Sequence, residues 1–585
     1  MDAERVGVLG GLAVFASDAL SSVAYGTEEI LLVLVAASVA GLQFALPVGI
    51  AIAILLLIVA TSYRQTVIEY PSGGGAYVVA RENLGHGAAG VAGAALMTDY
   101  VLTVSVSVSA GIAAVTSACP GLRPWSVHIA LACVAFIMLV NLRGVRESAA
   151  VFALPVYTFI VTVLAMVGYG LWRVGTGLGP APVTSEPATV AAESLTLLLV
   201  LRAFSSGCAA LTGVEAVANG VQAFKAPSGP NAARVLATLA AVLGVMFVGI
   251  TALAHSLQIV PSSGETVVSQ IGAHVFGRGV LYYVLQASTA IILILAANTS
   301  FAGFPRLAAF MAQDGYVPRQ FANLGDRLVY SNGIFVLAIL AGFLIVVFEG
   351  EVTRLIPLYA VGVFTAFTVS QSGMVVHWLR TRGPTWAGKA TVNGIGAGVT
   401  GIVMLVIAVS KFVQGAWIVT IVIPALILAF NQIRAHYAYV ASKLTLDDYS
   451  PPKPLKTLHL LLAGGVNRGT LEGIRYLRSI GEDCRALHIH AAPGIHGGEQ
   501  KWRQGVPDVP RGAIHSPYRT IAGPVLDYIA KVKAEEGYDL VVVILPEFVV
   551  HGWWESILHN HTAFWLQIVL RNVPGVAVMN VRYHI

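Results

Sequence analysis

The sequence is short of charge. Asp, Glu, Lys and Arg make up only 11% of its 585 residues, where a soluble protein carries about a quarter. A large water-exposed globule is therefore excluded. Cysteine is scarce too: Cys119, Cys133, Cys208 and Cys484 show no paired or metal-type spacing, which argues against a disulfide framework and a zinc site. There is no Walker or Rossmann fingerprint, since "AAPGIHGGEQ" (491–500) is glycine-bearing but lacks the strand-then-helix setting. There is no nucleophile–base pair either, and His488, His490 and His551 lack a ligand-like arrangement, so an enzyme is not expected. The first apolar stretch is too long for a cleavable signal peptide and has no processing site.

What remains is apolar sequence. Hydrophobic residues make up 56% and the mean hydropathy is +0.76. Stretches near 20 residues, long enough to cross about 30 Å of hydrocarbon, recur about twelve times: 6–36, 42–62, 86–116, 125–142, 149–172, 194–224, 232–257, 279–303, 331–348, 353–379, 392–411 and 415–433. With the N-terminus inside, the inner segments before residue 434 hold thirteen Lys and Arg, the outer ones only Arg123, Arg173, Arg278, Arg354 and Lys411. That asymmetry predicts an even number of spans and both termini in the cytoplasm.

The texture changes near residue 440. "KTLHLLLAG" (456–464), "CRALHIHA" (484–491), "YDLVVVILP" (538–546) and "GVAVMNVRY" (575–583) read as strands, and 468–480, 518–536 and 553–571 as helices between them. Alternating strands and helices predict a parallel sheet covered on both faces. The expected organisation is a transmembrane core over 1–440, a linker over 441–455 containing "SPPKP" (450–454), and a cytoplasmic α/β regulatory or dimerisation domain over 456–585.

Two spans carry acids inside broken apolar sequence. Span 1 contains "FASDALSSVAYG" (15–26), with Asp18, and span 6 contains "SSGCAALTGVEAVANG" (205–220), with Glu215. They stand five spans apart, as inverted repeats of five helices would place them, and paired interruptions of this kind point to a transporter's midplane site. Glycine-rich helix packing explains Gly207, Gly213 and Gly220 but not the acids. Span 3 adds Asp99, with Thr103 and Ser107 at i+4 and i+8 on one helix face. A hydroxyl such as Ser107 can equally bond its own helix, and Tyr100 and Tyr359 can equally be packing residues. An ionised acid at a helix centre costs about 2.5–3.5 kcal/mol, so three unpaired ones cost on the order of 8–10 kcal/mol. Arg202 can pair with Glu28 or Glu29 in the outer half of span 1. The midplane acids then lack a built-in counter-ion, and a cation and a proton complete the site. Tyr25, Tyr100, Thr103, Ser107, Thr212 and Tyr359 offer oxygens to an alkali ion. Glu215, beside a helix break, is the candidate for proton coupling.

The stretches 15–34, 70–83, 141–148, 211–220, 296–315 and 325–333 resemble the KimA-type potassium transporters, relatives of the KUP potassium uptake proteins within the amino acid–polyamine–organocation superfamily. The resemblance implies a LeuT-like 5+5 inverted repeat of about twelve helices in the bacterial plasma membrane and potassium import by proton symport, with no cofactor. It implies cation-site roles for Asp18, Tyr25, Asp99, Tyr100, Thr103, Ser107, Thr212, Glu215 and Tyr359. It further implies a C-terminal domain similar to universal stress proteins, which pairs into homodimers and binds cyclic di-AMP; no nucleic-acid polymer is expected as partner. The alternative on the same fold is an amino-acid or polyamine permease. A membrane sensor, binding its ligand without net flux, is a further rival.

Overall fold

In hydrocarbon a backbone N–H or C=O finds no water, so an apolar stretch must satisfy its own backbone as a helix. The chain's computed structural model describes residues 5–36, 39–73, 75–144, 149–177, 196–262, 264–325, 327–446, 453–480, 483–490, 502, 506–507, 509–516, 520–550 and 562–585. The glycine-bearing stretch 491–500, His551, residues 145–148 of the stretch 141–148 and residues 447–452 of the expected linker lie outside them. Two units divide the chain, Met1–Leu444 and Thr445–Ile585.

In the first unit, α1 (Val8–Phe15), α2 (Ser17–Ser21) and α3 (Val23–Val35) form one span, bent by 51° after α1. Then come α4 (Ala45–Glu69), the short α5 (Gly75–Asn83), α6 (His86–Ala118), α7 (Ser126–Leu142) and α8 (Ala149–Gly175). The second interrupted span is α9 (Leu197–Gly207), a 3-10 turn and α10 (Ala216–Asn219). The rest are α11 (Ser228–Ser256), α12 (Val267–Phe276), α13 (Val280–Gln313), α14 (Ser331–Val347), α15 (Val352–Thr381), α16 (Trp386–Ser410) and α17 (Ala416–Leu444).

Among the described residues ten helices are long and apolar enough to cross a membrane, eleven with the bent first span. The seventeen-residue α14 is apolar but shorter than these, so the described residues hold ten or eleven such spans where the sequence predicts about twelve. The last helix runs to Leu444, well past the expected end at 433, because "NQIRAHYAYVASKL" (431–444) is polar yet contains no helix breaker. At the centre, α6 packs against α13 and α15, and it is the most deeply enclosed of the spanning helices.

The second unit is a five-stranded sheet of β1 (Thr457–Leu462), β2 (Cys484–His490), β3 (Arg511–His515), β4 (Leu540–Val549) and β5 (Val576–His584), ordered β3-β2-β1-β4-β5 and parallel throughout. The helices among the described residues are α18 (Arg468–Ile480), α19 (Ala522–Glu536) and α20 (Thr562–Leu570). Successive side chains of a strand point to opposite faces. Leu458, Leu460, Val541 and Val543 thus pack with Val525 and Ile529 of α19, while Leu461 and Ile544 pack with Ile474 and Leu477 of α18. The fifth strand, β3, is absent from the sequence reading. It is a short edge strand, "RGAIH", too brief and too polar for a periodic signal.

Candidate functional site

Both breaks bring the backbone of one span against the other. The first span is interrupted at Ala16 and Ser22, where Ser22 Oγ donates to the Ala19 carbonyl at 2.6 Å and to the Ala210 carbonyl at 2.8 Å. The sixth unwinds between α9 and α10, and Gly213 has a φ of +82°. That left-handed conformation suits glycine. Space demands glycine as well: a Cβ there would stand 2.6 Å from the Ala19 nitrogen and 2.7 Å from Asp18 Cγ. The break of span 6 is therefore seated on Asp18 itself.

Three acids meet at this crossing, each at least nineteen-twentieths buried: Asp18 at 5% exposure, Glu215 at 4% and Asp99 at 2%. Asp99 and Glu215 face each other within hydrogen-bonding reach, and Asp18 lies within electrostatic reach of both. The freed N–H groups of Gly213 and Glu215 point at the Glu215 carboxyl. Even so, Asp99 Oδ1 and Glu215 Oε2 make no hydrogen bond. Such a pair can stay at membrane depth only by sharing a proton or holding a cation.

Hydroxyls surround the acids. Tyr25 faces the Thr212 hydroxyl, which donates to the Ala209 carbonyl at 2.8 Å. Thr103 Oγ1 donates to the Tyr359 hydroxyl at 2.9 Å, joining α6 to α15. Tyr100 accepts from Asn219 Nδ2 at 2.9 Å and closes over Gly303, where a Cβ would lie 2.7 Å from its ring. Eight of the nine expected residues thus fall into one cluster. Ser107 is buried on the same helix, but no hydrogen bond described here ties it to the others.

The sequence reading missed several neighbours. Asn219 follows Glu215 by four residues and could have been found from that spacing. Tyr63 of α4 lies within electrostatic reach of Glu215 and Asp99, which nothing in its local sequence announces. Glu29 is faced by Lys411, from the turn after α16, and Arg202 lies within reach of Lys411. Glu29 thus has a basic neighbour that the sequence places only in an outer segment. Glu28 accepts the Val267 N–H at 3.1 Å.

A cavity opens on each side of the cluster. One, of about 490 Å³, is lined by Tyr25, Glu28, Glu29, Ser109, Glu265 and Glu351. The other, of about 430 Å³, is lined by Asp18, Tyr100, Asn219 and Arg306.

The pattern of the amino acid permease family matches residues 9–430. The chain belongs to that family. Its second unit, over residues 456–583, matches the KimA potassium transporter C-terminal domain. This permease is 42% identical over 584 residues to the potassium transporter KimA of Bacillus subtilis (strain 168), covering 99% of its own chain and 96% of the relative. It is 24% identical over 284 residues to the low-affinity putrescine importer PlaP of Escherichia coli, K12 and O157:H7 alike, covering 46% of its own chain and 59% of theirs. Among solved structures, the manganese transporter of Eremococcus coleocola superposes on 75% of this permease and 94% of its own chain, with a TM-score of 0.39 and 12% identity. Family membership makes the permease a multi-pass membrane transporter and not an enzyme, as its lack of a nucleophile–base pair implied.

Proposed function

We propose that this permease imports potassium into the bacterial cell by proton symport. The observation that carries the reading is the meeting of Asp18 and Glu215, on two broken spans, with Asp99 of the continuous α6, where two carboxyl oxygens lack any hydrogen bond. The name of the relative at 42% identity along the whole chain supports potassium as the ion. In this reading Asp18 and Asp99 hold the cation, with the hydroxyls of Tyr25, Tyr100, Thr103, Thr212 and Tyr359 and freed backbone carbonyls completing its shell; Ser107 is the peripheral member. Glu215 takes the proton, being within hydrogen-bonding reach of Asp99 so that its charge state and the cation's occupancy are linked. The basic residues gathered on one side put both termini in the cytoplasm of a plasma-membrane protein.

In the C-terminal domain the strand order reverses between β1 and β4, and ligands of open parallel sheets sit at the carboxyl ends of strands at such a point. A regulatory cyclic dinucleotide at that crevice, and pairing of two copies through this domain, fit the match to the KimA C-terminal domain.

The test is rubidium uptake into proteoliposomes with and without an inward proton gradient. Gradient-driven uptake blocked by potassium, and abolished in a folded Asp18→Asn variant, is expected; wild-type flux in that variant would sink the assignment. The resemblance of one half of the chain to PlaP favours a second reading, a polyamine held by the same acids. Labelled putrescine taken up in the same vesicles, with no rubidium flux, would establish it.

A further inference from the structure

A second run of buried polar groups leaves the acid cluster between α4, α15 and α16, toward the end of the membrane where α4 finishes and the basic residues collect. The Tyr63 and Ser370 hydroxyls face each other, fully buried, and neither closes a hydrogen bond within the protein. Gln371 is as deeply buried, and both its amide oxygen and nitrogen are unpartnered. It stands against α16 at Gly396, where an added Cβ would collide with its Oε1 and lie 3.5 Å from Ser62 Cβ. From there the groups are directly joined: Ser62 Oγ donates to Asn393 Oδ1 at 2.6 Å, and Asn393 Nδ2 donates to Gln65 Oε1 at 2.7 Å. Gln65 is partly exposed, about 6 Å along the helix from the end of α4.

Polar residues often glue membrane helices together, but glue pairs its groups across the contact, and these are left open. Each unpaired buried polar group costs about 1–3 kcal/mol. With Glu215 Oε2 included, the five open atoms along this run would cost on the order of 5–15 kcal/mol if dry. Water bridging two such groups removes most of that cost.

We propose that Tyr63, Ser370, Gln371, Asn393 and Gln65, with water between them, form a proton path from Glu215 to the inner surface, separate from the cation's exit. The proposal rests on the symport reading. The cavity beside Asp18 is lined by Tyr100, Asn219 and Arg306 and includes none of these five residues. Protonated Glu215 gives its proton to the adjoining water, which passes one of its own to the next oxygen. Each water and hydroxyl oxygen takes one proton and passes another on, while the Gln371, Asn393 and Gln65 amides hold and orient the waters without being protonated themselves; Glu215 is left a carboxylate, and the proton is released to water beside Gln65. The ionisable groups facing the path are Glu215 and Asp99 at its deep end and, at its mouth, Glu69 paired with His377 at 3.4 Å.

Full-length protein in proteoliposomes tests this with two readouts: rubidium–rubidium exchange without a proton gradient, and potassium-dependent proton entry read by a trapped pH dye. Gln371→Leu should leave exchange intact and slow proton entry by about 100-fold, because the water that relays the proton loses the group that positions it. Gln371→Glu should restore it, and Ser370→Ala should slow it in the same direction. Proton entry at the wild-type rate in both Gln371→Leu and Ser370→Ala would overturn the path. So would loss of exchange together with proton entry in Gln371→Leu without rescue by Gln371→Glu, which would make Gln371 a packing residue. Wild-type protein that exchanges rubidium but carries no protons would remove the symport reading and the path with it. Wild-type protein with no rubidium exchange would instead remove the potassium assignment.

Discussion

Gly213→Ala puts the seating of span 6 on Asp18 to the test. Two costs add. A left-handed conformation costs an L-residue about 1–2 kcal/mol. The new methyl would also stand 2.6–2.8 Å from the Ala19 nitrogen and from the carboxyl and backbone carbons of Asp18, and relieving such overpacking costs about 1–3 kcal/mol. Backbone cannot swing aside as a long side chain would, so the strain of about 2–5 kcal/mol must either lower stability or push Asp18 out of place. Since about 1.4 kcal/mol is a factor of ten in affinity, even the lower bound of about 2 kcal/mol would weaken cation binding roughly 30-fold if it fell on Asp18 alone. The assay is the concentration dependence of rubidium uptake, run beside a thermal melt of the same preparation. Gly398→Ala is the control: its Cβ meets nothing within 4 Å on exposed helix, and it should be neutral or stabilise by up to about 1 kcal/mol. A Gly213→Ala protein with wild-type apparent affinity and wild-type melting temperature would refute the contact between the two breaks.

Three further outcomes follow from contacts elsewhere. Tyr359→Phe leaves the buried Thr103 hydroxyl without its acceptor; a loss of about 1–2 kcal/mol is expected, seen as a lower melting temperature and slower uptake, whereas Tyr283→Phe at an exposed site should change neither. Asn219→Ala frees the Tyr100 hydroxyl, so uptake should slow while the melting temperature falls by less than for Tyr359→Phe, because Tyr100 still packs on Gly303; unchanged flux would deny Asn219 a part in the site. In the C-terminal domain, Arg485 donates to Glu536 at 2.7 Å and holds its carboxyl below the usual range. A depressed folded value means the contribution is complete above the unfolded value of about 4.3 and disappears as pH falls through the folded one. Glu536→Gln should therefore flatten the pH dependence of the domain's melting below that value, and superimposable wild-type and variant profiles would exclude the pair as a source of acid sensitivity.

The acids and breaks could be read in the chain because membrane sequence makes them conspicuous: a carboxylate among small and hydroxylated residues has few structural excuses at that depth. The contacts that organise them could not. Gly213 looks like any helix-packing glycine until its φ and the position of Asp18 are known. Tyr63, Ser370 and Gln371 are scattered polar residues on two apolar helices, and only the packing of α4, α15 and α16 aligns them. Lys411 reads as an outer-loop lysine, since pattern places it outside the last apolar run, yet the fold tucks it against Glu29. In the second unit the buried strands declared themselves by alternation, and β3 did not, being a short edge strand of polar composition.

Where water fills the two cavities of about 490 and 430 Å³, the low-dielectric matter between them narrows to the layer around Asp18, Asp99 and Glu215. The membrane voltage then falls across that layer instead of over the full thickness of the bilayer. A charge moving a few ångströms past the acids crosses much of the field, about 2.3 kcal/mol for each 100 mV. A small local rearrangement here is thereby coupled to the energised state of the whole membrane.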